Sequence, residues 1–158
     1  MSTLRNTSSG IMNTIILTGL VAGSLDILVA LADYYIQTGK GPENVLRYIA
    51  SGVFGKDAFS GSSIMIWLGL LFHFIVAYIF TIAFFILYPK VKLLRLNIIL
   101  TAVLIGLIVW FVMNIIVVPL SNAPKFPFKI NAQIKAAIIL MFTIGLPLGI
   151  AMKRYYKS

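Results

Sequence analysis

Four long apolar segments, separated by short polar stretches, dominate the pattern of hydrophobic and polar positions along this chain. They run from about residues 11 to 36, 64 to 88, 96 to 120 and 131 to 152. A transmembrane helix needs roughly 20 consecutive apolar residues, because each residue advances the helix by about 1.5 Å across a hydrocarbon core about 30 Å thick. The pattern therefore predicts four membrane-spanning helices in a single domain covering residues 1–158.

A shorter helix is predicted between the first two spans, at about residues 42–54. Pro42 stands at a first helical position and Glu43 in the first turn, and both are helix-start signals. Apolar side chains then recur at helical spacing, at Val45, Leu46, Ile49 and Val53. The segment is too short to cross a bilayer, so we expect it to lie on the membrane surface or to dip into it. The expected fold class is an all-α integral membrane four-helix bundle with a short interfacial helix between helices 1 and 2.

The composition agrees with a membrane protein and limits its chemistry. Hydrophobic residues make up 60% of the 158 residues and charged residues 11%, whereas about 25% of a soluble domain is charged. The absence of cysteine excludes disulfides, thiolate catalysis and the usual cysteine-based zinc and iron–sulfur sites. A metal site needs three or four ligands, which the single histidine cannot supply with one aspartate, so we expect no metal and no cofactor.

The thirteen lysines and arginines predict orientation and lipid contact rather than nucleic-acid binding. They stand almost wholly at the ends of apolar segments, where they meet anionic head groups, and no run of them forms a nucleic-acid patch. An even number of spans puts both termini on one side, together with Arg5, Lys90, Lys92, Arg95, Lys153, Arg154 and Lys157. The other side has Lys40, Arg47, Lys56, Lys125, Lys129 and Lys135, spread over longer loops with Glu43 and Asp57. This density predicts cytoplasmic termini.

A cleaved signal peptide is an alternative interpretation of the first apolar segment. The small residues of Ala30-Leu31-Ala32 before Asp33 have the form of a cleavage site. Asp26, however, would lie inside the apolar region of such a peptide, which favours a retained span.

Small residues mark the faces on which the spans are expected to pack. Lipid tails are as apolar as leucine, so helices associate in a bilayer through close packing and interhelical hydrogen bonds. The glycines of these faces are Gly19, Gly23, Gly69, Gly106, Gly145 and Gly149.

Three polar side chains within the spans fall in one layer. At about 1.5 Å per residue, Asp26 lies about 10 Å in from Asp33, His73 about 13 Å from Ile64 and Asn114 about 9 Å from Leu120. An ionised carboxylate exposed to hydrocarbon is unfavourable, so Asp26 should face the bundle interior and find a partner. We therefore predict a pair between Asp26 and His73.

The predicted ligand or proton pocket comprises this pair and its neighbours, which are Asn114, Ser24, Arg47 and Tyr48. The leading interpretation is a binding or accessory protein, with membrane lipids and a second copy or another membrane protein as partners. A small proton-linked transporter or channel and a lipid-modifying enzyme with His73 as base are the alternatives. A purely structural role, in which the polar groups satisfy one another and fix the helix positions, also stays open.

Four strings, GLVAGSLDILVA, PENVLRYIASGVFGKDAFSG, GLLFHFIVAYIF and VMNIIVVPLSNAP, resemble those of a group of small bacterial membrane proteins with no established function. The resemblance covers nearly the whole chain and is strongest at Gly19–Asp26 and Tyr48–Phe59. The chain is also remotely similar to YagU-like inner-membrane proteins linked to acid resistance, although it lacks the additional histidines and the acid-rich insert of that group. The resemblance implies a multi-pass protein of a bacterial cytoplasmic (inner) membrane and supplies no substrate.

Overall fold

The computed structural model describes residues 6–127 and 129–157, and all regular structure within them is helical. We number the helices in chain order: α1 (Asn6–Thr38), α2 (Glu43–Phe54), α3 (Ile64–Leu87), α4 (Leu93–Leu96), α5 (Ile98–Leu120) and α6 (Ile130–Tyr155). A 3₁₀ turn, Gly55–Phe59, follows α2. Arg5, one of the cations predicted on the side of the termini, lies outside the described residues.

Four of these helices have the length and composition of membrane spans. They are α1 from Gly10 onwards, α3, α5 and α6, with mean hydropathies between 2.1 and 2.7 over their most apolar stretches. The helix α2 has 12 residues, which is too few to cross a bilayer. The predicted all-α membrane four-helix bundle is confirmed.

Helix boundaries follow local backbone chemistry that hydropathy does not report. The helix α1 includes the polar residues 6–10, ahead of the apolar segment predicted from about residue 11, because a formed helix extends into polar residues by one backbone hydrogen bond each. The helix α5 begins at Ile98 rather than at about residue 96, since Asn97 is extended and its side chain accepts a bond of 2.8 Å from the backbone N–H of Ile99. Gly55 ends α2 with a φ of 59°, a left-handed conformation that glycine adopts without steric strain.

Glycines set the order in which the helices pack. The helix α1 packs against α3 on one side and α6 on the other, while α6 also packs against α5. A Cβ added at Gly145 of α6 would collide with the carbonyl of Ala102 on α5, and one added at Gly106 would collide with the backbone of Met141. These are backbone-to-backbone contacts of the kind that small residues permit.

The glycines of α1 and α3 differ in what they face. Gly19 and Gly23 of α1 receive the rings of Tyr78 and Phe74 on α3. Gly69, which the sequence pattern placed on a face toward the other spans, instead lies against the carbonyl of Leu46 on α2. The interfacial helix is therefore packed directly onto the second span.

The two ends of the bundle differ in composition. The main apolar cluster extends from the terminal end, as we call the end with α4 and the last turns of α6, to the middle of the spans. It comprises Ala22, Phe84, Phe85, Tyr88, Leu94, Ile105, Val109, Ile144, Leu148 and Met152. At the terminal end, the Tyr156 hydroxyl donates to the Phe85 carbonyl at 2.7 Å and joins the end of α6 to α3. The opposite end, the loop end, contains α2 and the loop between α5 and α6.

Each of the last two spans contains a π-helical turn just before a proline. The turns are Val112–Val117 in α5, ahead of Pro119, and Met141–Gly145 in α6, ahead of Pro147. Proline lacks an N–H and its ring clashes with the carbonyl four residues earlier, so a widened turn accommodates it within a span. The two turns contain Asn114 and Thr143.

We expect Gly145→Ala to destabilise the contact between α5 and α6, because its methyl group would overlap the Ala102 carbonyl. Overpacking of this kind costs about 1–3 kcal/mol, which thermal unfolding in detergent micelles would detect as a lowered midpoint. Gly10→Ala is the matched control, since nothing lies within 4 Å of a Cβ added there. Equal midpoints for the two variants would contradict the close contact.

Candidate functional site

Asp26 is half-buried on α1 and is bonded to α6. Its Oδ1 accepts a hydrogen bond of 2.8 Å from the hydroxyl of Thr143. The same hydroxyl lies 3.0 Å from the Ile139 carbonyl, so its single proton has two acceptors. The carboxylate therefore faces the bundle interior, where it links two spans.

Sequence reasoning missed Thr143 because the contact face of the fourth span is predicted from its small residues, Gly145 and Gly149. Thr143 is buried on another side of α6, which faces Asp26 of α1, and it lies in the π-helical turn Met141–Gly145. The available signal was Pro147, which requires a local distortion in the turn before it.

His73 of α3 is bonded to α1 through the backbone. Its Nε2 lies 2.8 Å from the Gly23 carbonyl, so this nitrogen carries the proton and donates it. The predicted direct bond between Asp26 and His73, both described, is not formed, although the two groups interact electrostatically. The physical reason is the absence of a side chain at Gly23, which lets α3 lie close to the backbone of α1. The imidazole ring of His73 therefore bonds to the Gly23 carbonyl instead of the Asp26 carboxylate.

The remaining residues of the predicted pocket are not gathered around this layer. The Nδ2 of Asn114 donates to the Trp110 carbonyl at 3.0 Å and does not bond to Asp26 or His73, the predicted partners. Ser24 is half-buried on α1. Among the described residues, its side chain forms no hydrogen bond to the Asp26 carboxylate or to the His73 ring. The layer joins three helices through Asp26, His73 and Thr143.

Arg47 stabilises the loop after α2 and does not reach the pair, contrary to the prediction. Its guanidinium donates to three carbonyls: Ser62 at 2.8 Å, Gly61 at 3.2 Å and Ala58 at 3.3 Å. Backbone carbonyls of a turn are strong acceptors that need a partner when no helix bond satisfies them. Arg47 thus stabilises the backbone of the loop between α2 and α3.

A cavity of about 750 Å³ lies at the loop end. Six parts of the chain contribute to its wall: the end of α1, the segment before α2, α2 itself, the 3₁₀ turn, the end of α5 with the loop after it, and the start of α6. The lining residues are Tyr34, Lys40, Asn44, Val45, Tyr48, Phe59, Asn114, Val118, Pro119, Lys125, Phe126, Pro127 and Gln133. Of the predicted site residues, this cavity brings together Asn114 and Tyr48.

The aromatic part of the cavity wall is formed by Tyr48 and Phe126. The Tyr48 hydroxyl donates to the Pro124 carbonyl at 3.3 Å, and its ring lies 5.6 Å from that of Phe126. Burial raises the pKa of the Tyr48 phenol above its usual value of 10.0. Tyr48 therefore stays protonated at neutral pH and acts as a hydrogen-bond donor.

The charges of the cavity wall are positive. The ammonium of Lys125 donates to the Val118 and Ser121 carbonyls at 2.9 and 2.6 Å, at the end of α5. The wall contains Lys40 and Lys125 but no carboxylate, and Lys40 forms no ion pair within the described chain. The cavity therefore favours a negative group.

The nearest acidic residue along α1 is already neutralised. Asp33 forms an ion pair with Lys135 of α6, and its second oxygen accepts a bond of 2.5 Å from Gln37. This pair lies beside the cavity, because the adjacent Tyr34 and the nearby Gln133 both line it. It fixes the loop ends of α1 and α6 relative to each other.

Comparisons with protein-family models, with curated proteins and with solved structures give no match to this chain. The chemistry of the site is therefore inferred from its own geometry.

We expect Thr143→Val to lower the stability of the bundle, because it keeps the side-chain shape but removes the donor to Asp26. Loss of a hydrogen bond to a carboxylate inside a protein costs about 1–3 kcal/mol. Thr81→Val is the matched control, since the Thr81 hydroxyl is equally buried but bonds only within its own helix, to the Ala77 carbonyl. Unfolding in detergent micelles measures both, and equal losses would show that the bond to Asp26 contributes nothing.

Proposed function

We propose that this protein binds an amphiphilic ligand with an anionic head group in the loop-end cavity. The single observation that carries the proposal is the cavity itself, with two lysines, two tyrosines and no acidic side chain in its wall. Its volume of about 750 Å³ lies within the range of roughly 300–1,000 Å³ typical of small-molecule sites. The protein would thus be a binding protein of the membrane.

The composition of the wall supports an amphiphile over a fully polar ligand. Apolar side chains such as Val45, Phe59 and Phe126 alternate with the amides of Asn44, Asn114 and Gln133. The cavity also lies where the spans end, since Asn114 belongs to the last part of α5 and Gln133 to the first turn of α6. A ligand at this level could place its charge beside Lys40 and its apolar part against the aromatic rings.

Binding is better supported than catalysis at this site. A lipid-modifying enzyme with His73 as base would need a cleft between His73 and the head-group level, and His73 does not line the cavity. Its Nε2 is already engaged as a donor to the Gly23 carbonyl, so that nitrogen does not accept a proton there. The titratable groups of the cavity wall are the lysines and tyrosines.

We place the protein in a bacterial cytoplasmic membrane with both termini in the cytoplasm, so that the cavity opens toward the outer side. The resemblance to small bacterial membrane proteins supports the first part of this proposal. The density of Lys90, Lys92 and Arg95 in one short hairpin supports the second.

Quenching of Trp110 fluorescence by a dibrominated fatty acid tests the proposed function. Trp110 reports on the cavity, because its Nε1 donates to the lining Gln133 at 3.1 Å, and Trp67→Phe removes the other tryptophan. In that background, Lys40→Gln should weaken the apparent affinity for the fatty acid roughly threefold, as expected for loss of one partly solvated charge contact.

Lys56→Gln is the control, because it removes the same charge from the same end of the molecule outside the cavity wall. Its affinity should match that of the Trp67→Phe parent. Equal weakening by both variants, or quenching that does not saturate, would refute a defined anion site.

Proton-linked transport is the second candidate function, favoured by a carboxylate inside a span. Thr143, which donates a hydrogen bond to Asp26, lies in a π-helical turn. Such turns are frequent at functional sites. Intramembrane aspartates commonly carry protons in pumps and transporters.

If this candidate is correct, proteoliposomes with a pH-sensitive dye inside should show proton uptake at acidic outside pH. Asp26→Asn should abolish the uptake, since an amide cannot exchange a proton, whereas Asp57→Asn in the exposed 3₁₀ turn should leave it intact. Wild-type vesicles no leakier than empty ones would exclude a proton channel.

A further inference from the structure

A second cavity lies at the terminal end, on the opposite side of the bundle from the first. It is a groove of about 480 Å³ between the start of α5 and the end of α6. Ile98 and Ile150 form its apolar walls, and Lys153, Arg154 and Lys157 supply its polar part. Nothing in the proposed function uses these residues.

Part of the groove lies along one face of α6. Lys153 and Arg154 follow Ile150 by three and four residues, the spacings that place side chains on one side of a helix. Lys157, beyond the helix end, lines the same groove. At the neighbouring Gly149, α5 lies within van der Waals distance, since a Cβ added there would lie 3.4 Å from the Thr101 side chain and 3.8 Å from Ile98. Along α6, Ile150 precedes the cations by about one turn and so lies nearer the middle of the span.

The protein supplies no acidic side chain to balance these cations. All four aspartates and glutamates occur between Asp26 and Asp57, within α1 or at the loop end. Within the described residues, the one ion pair is Lys135 with Asp33, also at the loop end. None of the four acidic side chains therefore lies at the terminal end to offset the cations of the groove.

Stabilisation of the helix dipole accounts for only part of this arrangement. Lys153 and Arg154 occupy the last turn of α6, where cations interact favourably with the free carbonyls. Lys157 lies beyond the helix end at Tyr155, yet lines the same groove. All three basic side chains line one space together with Ile98 and Ile150.

We propose that this groove binds the phosphate group of an anionic phospholipid from the leaflet at the terminal end. The arginine and lysines would donate charge-assisted hydrogen bonds to the phosphate oxygens, while the start of an acyl chain packs on Ile98 and Ile150. The isoleucine walls favour a lipid over free phosphate, which has no apolar part to bury. The site is independent of the loop-end cavity.

Retention of phosphatidylglycerol, measured by native mass spectrometry of the full chain released from detergent, tests this proposal. The variant with Lys153→Gln, Arg154→Gln and Lys157→Gln should bind phosphatidylglycerol roughly tenfold more weakly than wild type, since each basic residue near the surface contributes to attraction of an anionic lipid. The matched control combines Lys90→Gln, Lys92→Gln and Arg95→Gln, which removes three charges from the same end outside the groove. This control should retain near wild-type affinity, and phosphatidylcholine should bind all three proteins weakly.

Lys157→Glu provides a second measurement that does not depend on the triple variant folding, because Lys157 lies outside the helix. It should weaken phosphatidylglycerol binding on its own. Equal weakening by the groove and hairpin variants would indicate diffuse surface charge and overturn the proposal, as would unchanged binding by the groove variant or by Lys157→Glu. Complete displacement of the lipid by excess inorganic phosphate would assign the site to a free anion and also overturn it.

Discussion

Backbone contact at glycines is the interaction on which the rest of this structure depends. Side chains gain little by leaving lipid for another helix, so the spans associate where small residues let backbones touch. Gly106 lies against Met141, and Gly145 lies against the Ala102 carbonyl, which holds α5 on α6. The π-helical turn of α6 lies at this contact, and it turns Thr143 toward Asp26 of α1. The same turn of α6 therefore provides the glycine that contacts α5 and the threonine that bonds to α1.

The polar layer inside the bundle has a structural role that its bonds explain directly. Thr143 donates to Asp26, and His73 donates to the Gly23 carbonyl, so that α1 is bonded to both α6 and α3. Buried polar groups without partners are costly in lipid, and these bonds satisfy them. The larger of the two described cavities lies elsewhere, at the loop end. This separation is the reason why ligand binding is proposed for the loop end and not for the layer.

The two ends of the molecule present different electrostatic surroundings to the membrane. At the loop end, acids and bases are mixed: Asp33 pairs with Lys135, and Arg47 is engaged by carbonyls. At the terminal end, the described side chains include cations but no acids. Each end has a cavity lined by basic residues, yet only the loop-end cavity has aromatic rings and amides in its wall. The ends are therefore suited to different ligands.

The sequence by itself determined the number of spans and the short helix α2, because hydropathy patterns act over neighbouring residues. It also indicated that Asp26 would face the interior, since a carboxylate in lipid needs a partner. The identity of that partner depended on the tertiary structure, because Thr143 lies on the side of α6 that faces α1, whereas Met141 and Gly145 of the same turn contact α5. The loop-end cavity was equally hidden, because its wall combines residues from Tyr34 to Gln133 that become neighbours only after the helices pack. Local patterns follow from the order of residues, whereas a site shared by several helices follows from their packing.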